Sequence, residues 1–471
     1  MTKKLTKDIV LYGVVGGLGK FLMLILVPVY TNVFSPEEYG VVDLVTTTIV
    51  FFAAVGMLQM EASTGRYYFE VGEENRSRLI FTSLLALLGW TFLLVTPLFI
   101  WAEGFGILLF ESNEYTGIIR LACLIIIIGN GFYYLMAIMR FVQKPIQYGQ
   151  IHLVQISFTL TFSILLVVFS RYGIQGVFLG QIIGLSVGLT FLLYNLNKWG
   201  LLSTHWNTQY LKNNLKYSLP LIPGVLANWA NRFYNRFVVL GLLSLSEVGI
   251  LSFGMKVAMI VTLLEEAVKM TWSPFVFKNL NKEGHRQMYI NAFQHLTRIS
   301  FSLVILLTLL LPEIIGLLAP EEYQGTIDLA IILVVVYGVR SMQQIVAIGP
   351  GISKKTFYNS LLGIGSLVIN ISFLYILTPS MGLIGVGLSI AATYLFRFTA
   401  AWIVSERLYP IGYPLTAFIG FFFLACLTAA TVIFLKPDLF YRGFLGACLT
   451  MALLFKYRKY INKESLKTFL Q

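Results

Sequence analysis

Three polar residues recur at steps of four in a stretch that is otherwise apolar enough to cross a bilayer. Asn228, Arg232 and Arg236 lie between Tyr217 and Leu243, and the four-residue step places them on one helical face, with Asn231 and Asn235 beside them. Guanidinium groups in hydrocarbon are costly and usually face a bundle interior or a water-filled cavity. Arginine also grips phosphate at two points, which lysine does not. The chemistry this pattern suits is recognition of a buried anion such as pyrophosphate. A further deep cation is Lys20, ~20 Å along a helix from Lys7, while Arg232 stands ~24 Å beyond Lys216. An anion held between the two segments would meet Lys20 on one side and Arg232 with Arg236 on the other.

Other residues suit accessory roles. Asn228, Trp229, Asn231 and Asn235 offer the amides and the aromatic face that sugars use. Glu61 and Glu266 are carboxylates toward the basic ends of their spans. Burial makes protonation of such groups switchable, so they are candidates for H+ or Na+ coupling. Asp43 and Asp328 fall near the opposite span ends and read as solvated. Glu265 and Lys269, four residues apart, read as a structural pair.

Several chemistries are not supported. Cys123, Cys426 and Cys448 lie in apolar runs without pairing or metal spacing, which predicts buried free thiols and no metal or cofactor. The stretch Gly13 to Phe21 imitates a phosphate-binding loop. Its first glycine is one residue too distant, Phe21 replaces the Ser/Thr, and it lies within a span rather than after a strand. No ATPase is encoded there. The longest outer loop, Ala102 to Thr116, is roughly fifteen residues and the chain has no Asp-x-Asp. An enzyme such as a glycan polymerase or ligase is therefore disfavoured.

The elements that must carry these residues are membrane spans. The 471-residue chain is 57% hydrophobic and 12% charged, where soluble domains carry about 25% charge. Windows of ~20 apolar residues predict an all-α polytopic membrane protein of about fourteen spans. They cover roughly 8–34, 41–62, 79–101, 117–139, 148–169, 174–195, 217–243, 248–272, 293–318, 327–348, 358–378, 382–404, 414–435 and 438–456. The first is too long for a secretory signal and lacks a clear cleavage site, so it reads as an uncleaved span.

With the N-terminus inside, 22 Lys and Arg fall in inner segments and three, Arg171, Lys436 and Arg442, in outer ones. That bias places both termini in the cytoplasm. It also accounts for the net charge of +12 without a nucleic-acid partner. Prolines at positions 28, 220 and 223 read as kinks within spans, and Pro274 as the close of one.

The chain repeats itself. Ser35, Glu38 and Gly40 recur 209 residues later as Ser244, Glu247 and Gly249; Glu114, Tyr115 and Gly117 recur 208 later as Glu322, Tyr323 and Gly325; Gly173, Gly176 and Val177 recur 209 later as Gly382, Gly385 and Val386. Each repeat holds six spans, an even number, so both enter the membrane in the same direction. This predicts an N-terminal lobe over 1–200 and a C-terminal lobe over 210–408. The two would be parallel and pseudo-symmetric around a central cavity, with two extra spans and a basic tail over 409–471.

Two parallel six-span lobes, two extra spans and the connection Phe34-Ser35-Pro36-Glu37-Glu38-Tyr39-Gly40 resemble one known group. This is the polysaccharide-transporter branch of the multidrug/oligosaccharidyl-lipid/polysaccharide exporter superfamily, and within it the Wzx-type O-antigen and capsule flippases. The resemblance covers essentially the whole chain and rests on architecture, because the family has no catalytic signature. It implies movement of undecaprenyl-pyrophosphate-linked oligosaccharide from the inner to the outer leaflet of the bacterial cytoplasmic membrane. It also implies a place beside the glycan polymerase machinery. The alternative within the superfamily is a multidrug/cation antiporter, against which a net-cationic interior argues by repulsion.

Overall fold

The computed structural model describes residues 25–355, 357–438 and 440–442. Lys20, most of the first expected span, the fourteenth, Cys448 and the basic tail lie outside the described residues, as do the side chains of Glu266, Lys269 and Pro274. Among the described residues every regular element is helical. Ten helices among the described residues are long and apolar enough to cross a membrane. The chain divides into two compact units, Met1–Ser252 and Phe253–Gln471.

The first unit begins with α1 (Leu26–Val33) and α2 (Pro36–Met57). The latter starts five residues before the expected boundary because its cap is built by polar residues. Ser35 Oγ accepts from the Glu38 N–H (3.2 Å), and the Glu38 carboxylate accepts from the Ser35 N–H (2.9 Å). The span then breaks at Leu58 and Gln59, both left-handed (φ 49° and 54°), and resumes as α3 (Met60–Tyr67). Two non-glycine residues in that region are strained. The break also leaves carbonyls short of helical partners. Trp90 Nε1 and Thr91 Oγ1 of α4 (Glu73–Ile100) donate to the Val55 and Gly56 carbonyls, each at 3.3 Å. Backbone at membrane depth must find such partners inside the protein.

After α5 (Ala102–Phe110) come α6 (Thr116–Phe141), α7 (Pro145–Ile164, ending in a π-turn to Phe169) and α8 (Gly173–Lys198). The hairpin of α7 and α8 closes along Gly180, Gly184 and Gly188. A Cβ on Gly184 would lie 2.7 Å from the Thr159 nitrogen and 2.8 Å from the Gln155 carbonyl oxygen. Small residues every fourth position let membrane helices approach this closely.

The basic segment that follows is an ordered helix, α9 (Thr208–Ser218). Its buried Asn214 donates to Ser83 Oγ at 2.6 Å, and Ser83 also accepts from Thr64 at 3.0 Å. The seventh span is shorter than expected. A 3-10 turn over Leu219–Leu221 precedes α10 (Ile222–Leu242), so Pro220 and Pro223 sit in first turns. The backbone stays right-handed helical through Ser218, Leu219, Leu221 and Ile222. One helical run thus passes from α9 into α10 with a 3-10 interruption at the prolines, in line with the expected break there.

Helix α11 (Leu245–Ala258) carries the repeated cap, Ser244 Oγ accepting from the Glu247 N–H at 3.2 Å. The glycines of the repeated landmark meet: a Cβ on Gly40 would lie 3.2 Å from the Gly249 nitrogen.

The second unit contains α12 (Ile260–Asn279), α13 (His285–Leu318), α14 (Thr326–Val346), α15 (Gly349–Ile352), α16 (Phe357–Leu408) and α17 (Leu415–Ala430). Helix α12 runs past Pro274 to Asn279, so that proline does not close the span. Pro97, Pro312 and Pro379 also lie within helices.

The expected spans 358–378 and 382–404 form α16, which breaks at Gly382 (φ 56°). Gly173, its repeat partner, has φ 54° at the equivalent hairpin. Here the repeated glycine supplies a positive-φ conformation that side chains disfavour. One residue type thus recurs because one turn geometry recurs.

Candidate functional site

Helix α10 packs on α2 in the antiparallel sense, because the contacts progress in opposite directions along the two. Arg236 Nε donates to Asp43 Oδ2 at 2.5 Å. Seven residues back, Trp229 Nε1 donates to the Thr47 carbonyl at 3.4 Å and its ring lies 4.7 Å from that of Phe51. Asp43 lies seven residues into α2, and Arg236 six residues before the end of α10. Both are thus ~10 Å in from the same end of the bundle. The depth match lets one buried charge neutralise the other.

Asp43 and Arg236 are 6% and 7% exposed. The expectation of a solvated Asp43 is corrected: its carboxylate is buried against a guanidinium. Arg236 also donates through Nη1 to the Arg232 carbonyl at 3.0 Å and lies over the Phe233 ring at 5.1 Å. Such a pair is stable only with this supplementary hydrogen bonding, since each charge has lost its water.

The two arginines therefore differ. Arg232 is exposed, stands midway along α10, and makes no ion pair among the described residues. Its guanidinium lies 6.0 Å from the Phe233 ring centre. Asn228, one turn away, is also exposed. Asn231 is half-buried and donates to the Ala227 carbonyl at 3.0 Å. Asn235 is buried, and its Oδ1 has no hydrogen-bond partner among the described residues.

Trp229 is half-buried among Phe51, Phe233 and Phe237. Glu61 opens α3 just after the Leu58–Gln59 break, half-buried, with Oε2 unpartnered among the described residues. The structure brings Asn228, Trp229, Asn231, Arg232, Asn235 and Arg236 onto one helix, and sets Glu61 on another.

Asp43 is the site residue that sequence reasoning assigned wrongly. Its signal was present: a carboxylate in an apolar span costs as much as an arginine and needs a cation at equal depth.

A second polar cluster lies in the other unit. Arg340 of α14 is 3.0 Å from Glu265 of α12, which also accepts from Gln344 at 3.4 Å. The Arg340 guanidinium sits between the rings of Tyr337 and Tyr394, at 5.6 and 5.5 Å. The expected pairing of Glu265 with Lys269 falls on a side chain outside the described residues; across helices, Glu265 meets Arg340.

The sequence matches the family model described as polysaccharide biosynthesis protein over residues 5–279. The chain belongs to that family. No curated protein gives a significant match. Among solved structures, the lipid II flippase MurJ in an inward closed conformation is similar at 14% identity and a TM-score of 0.74, over 96% of this chain and 100% of that one. An inward-facing multidrug resistance MATE family transporter of the MOP superfamily is similar at 16% identity and a TM-score of 0.64, over 83% and 95%.

The Vibrio cholerae MATE transporter VcmN in its bent form gives 14% identity and a TM-score of 0.57, over 90% and 98%. This polysaccharide biosynthesis protein thus shares the polytopic helical fold of those transporters.

Proposed function

We propose that this protein is a flippase for undecaprenyl-pyrophosphate-linked oligosaccharide, the repeat unit of an O-antigen, capsule or exopolysaccharide. It moves its substrate from the inner to the outer leaflet of the bacterial cytoplasmic membrane by alternating access. Arg232 carries this reading: it is an exposed guanidinium midway along a membrane-length helix, in a chain of the polysaccharide biosynthesis family. Pyrophosphate cannot cross hydrocarbon unaided, for the same reason that a buried ion is costly. A cation at mid-depth replaces the lost solvation while the polyprenyl tail stays in lipid.

In this reading Arg232 and Lys20 hold the pyrophosphate. Arg236, locked on and neutralised by Asp43, fixes the rotation of α10 rather than contacting the substrate. Of the candidates for the sugars, Asn228 is the exposed one and makes the contact, whereas Trp229, Asn231 and the buried Asn235 support it from within the packing. Glu61 or Glu266 couples a proton or sodium ion. The glycan polymerase machinery then takes the product at the outer leaflet.

The test uses purified protein in liposomes loaded with a labelled undecaprenyl-pyrophosphate oligosaccharide, following leaflet accessibility with and without an imposed proton or sodium gradient. Transbilayer movement in wild type and its loss in Arg232→Ala are expected. No movement, alongside gradient-driven efflux of a cationic dye, would overturn the proposal in favour of multidrug transport.

A further inference from the structure

At the basic end of the first unit a cavity of about 380 Å³, with no residue of α10 in its lining, opens between three chain turns. Its walls are Tyr68 and Phe69 after α3, Arg76 at the start of α4, Phe141 and Lys144 around the α6–α7 turn, and Trp199 after α8. The volume falls within the range of small-ligand sites.

The Lys144 ammonium lies 3.8 Å from the centre of the Trp199 ring and has no ion pair among the described residues. Gln143, left-handed at φ 58°, makes the tight turn that delivers it. Arg76 lies 4.8 Å from the centre of the Tyr68 ring, and its Nε donates to the Tyr68 carbonyl at 3.2 Å.

One acid touches this set: Glu73, 3.1 Å from Arg76, whose side chain is 88% exposed. An exposed pair of this kind is weak and its carboxylate is free to turn into water. Burial pushes the Tyr68 phenol above its ordinary value against the pull of Arg76, so it stays neutral. The cavity is left with two cations framed by aromatic rings.

That combination selects a phosphate group joined to an apolar or polyol body, because Arg and Lys bind the anion and rings cover the rest. Phosphate of this kind comes either on a lipid or in a soluble ester. Position favours the lipid: Phe69 is 60% exposed at the end of an apolar span, where aromatic residues meet headgroups. We propose that this cavity binds the phosphodiester headgroup of an anionic phospholipid, at a site separate from that of the transported substrate. Basic pockets between membrane helices are suited to this. The inference does not depend on the flippase reading, and its readout is lipid retention rather than transport.

The experiment is native mass spectrometry of the full chain in detergent, titrated with phosphatidylglycerol or phosphatidylcholine of matched acyl chains. Wild type is expected to retain one phosphatidylglycerol roughly tenfold more tightly than phosphatidylcholine, and Arg76→Gln/Lys144→Gln to lose that preference. Should the double variant fail to fold, the pair Lys144→Arg and Lys144→Gln gives the same discrimination, the first retaining the preference and the second reducing it. Equal retention of the two lipids by wild type, or an unchanged preference in the charge-removed variants, would overturn the proposal. Displacement of phosphatidylglycerol by an equal concentration of glycerol 3-phosphate would assign the cavity to a soluble phosphate and overturn it as well.

Discussion

Arg232 and Arg236 share a helix, a face and a chemistry, yet their surroundings give them different work. Arg236 is committed to Asp43, so removing either partner strands a buried charge at a cost of roughly 3–5 kcal/mol. Asp43→Asn is expected to lower the thermal midpoint of the purified protein, read by intrinsic fluorescence. Asp43→Leu combined with Arg236→Met should recover most of that loss, since an apolar pair replaces an ionic one at little net cost. A double variant no more stable than either single one would show that the pair is not the source of the effect.

Arg232 has no such commitment, so Arg232→Ala should leave the midpoint unchanged while abolishing transport. Arg232→Lys discriminates further. Partial transport means that charge suffices, and near-complete loss means that the two-point fork is needed.

At the scale of elements, the hairpin of α7 and α8 illustrates how small residues set membrane packing. Gly184 lies against the backbone of Thr159 and Gln155, which cannot yield as a flexible side chain would. Gly184→Leu should therefore destabilise by about 1–3 kcal/mol or prevent insertion, seen as a lowered midpoint or loss of folded protein. Gly224→Ala is the control, because nothing lies within 4 Å of the added carbon. The break between α2 and α3 follows similar logic with polar groups. Trp90 and Thr91 take over carbonyls that a continuous helix would have satisfied, and Asn130 in turn donates to Thr91 at 3.0 Å.

For the whole molecule, the charge asymmetry of the loops carries the orientation. The ends bearing Arg66, Arg76, Arg140 and Lys144 should face the cytoplasm, and the acidic turns at Glu37 and Glu114 the outside. Glu74→Cys and Asn113→Cys both place a thiol at exposed positions. An impermeant maleimide added to intact cells should label the second, and the first only after permeabilisation. The reverse pattern would invert the topology and with it the direction of transport.

The apolar windows by themselves located the ten helices among the described residues that are long and apolar enough to cross a membrane, because a bilayer demands ~20 apolar residues whatever surrounds them. The polar α10, under the seventh window, is not among those ten. The repeat landmarks were equally legible: a serine and glutamate three apart make a helix cap, and a glycine such as Gly382, at φ 56° and ψ −136°, takes a backbone conformation that other residues strongly disfavour. Those are local rules, written in adjacent residues. Partnerships between helices are not local. That Arg236 finds Asp43, nearly two hundred positions away, while Arg232 stays open depends on the antiparallel packing of α10 on α2. That Glu265 meets Arg340 on another helix depends likewise on how α12 meets α14. The i, i+4 pattern gave both arginines the same face, and it took the packing of α10 on α2 to make one a strut and leave the other exposed. Sequence spacing measures distance along one helix, whereas the energy of a buried charge is decided by what the next helix brings to the same depth.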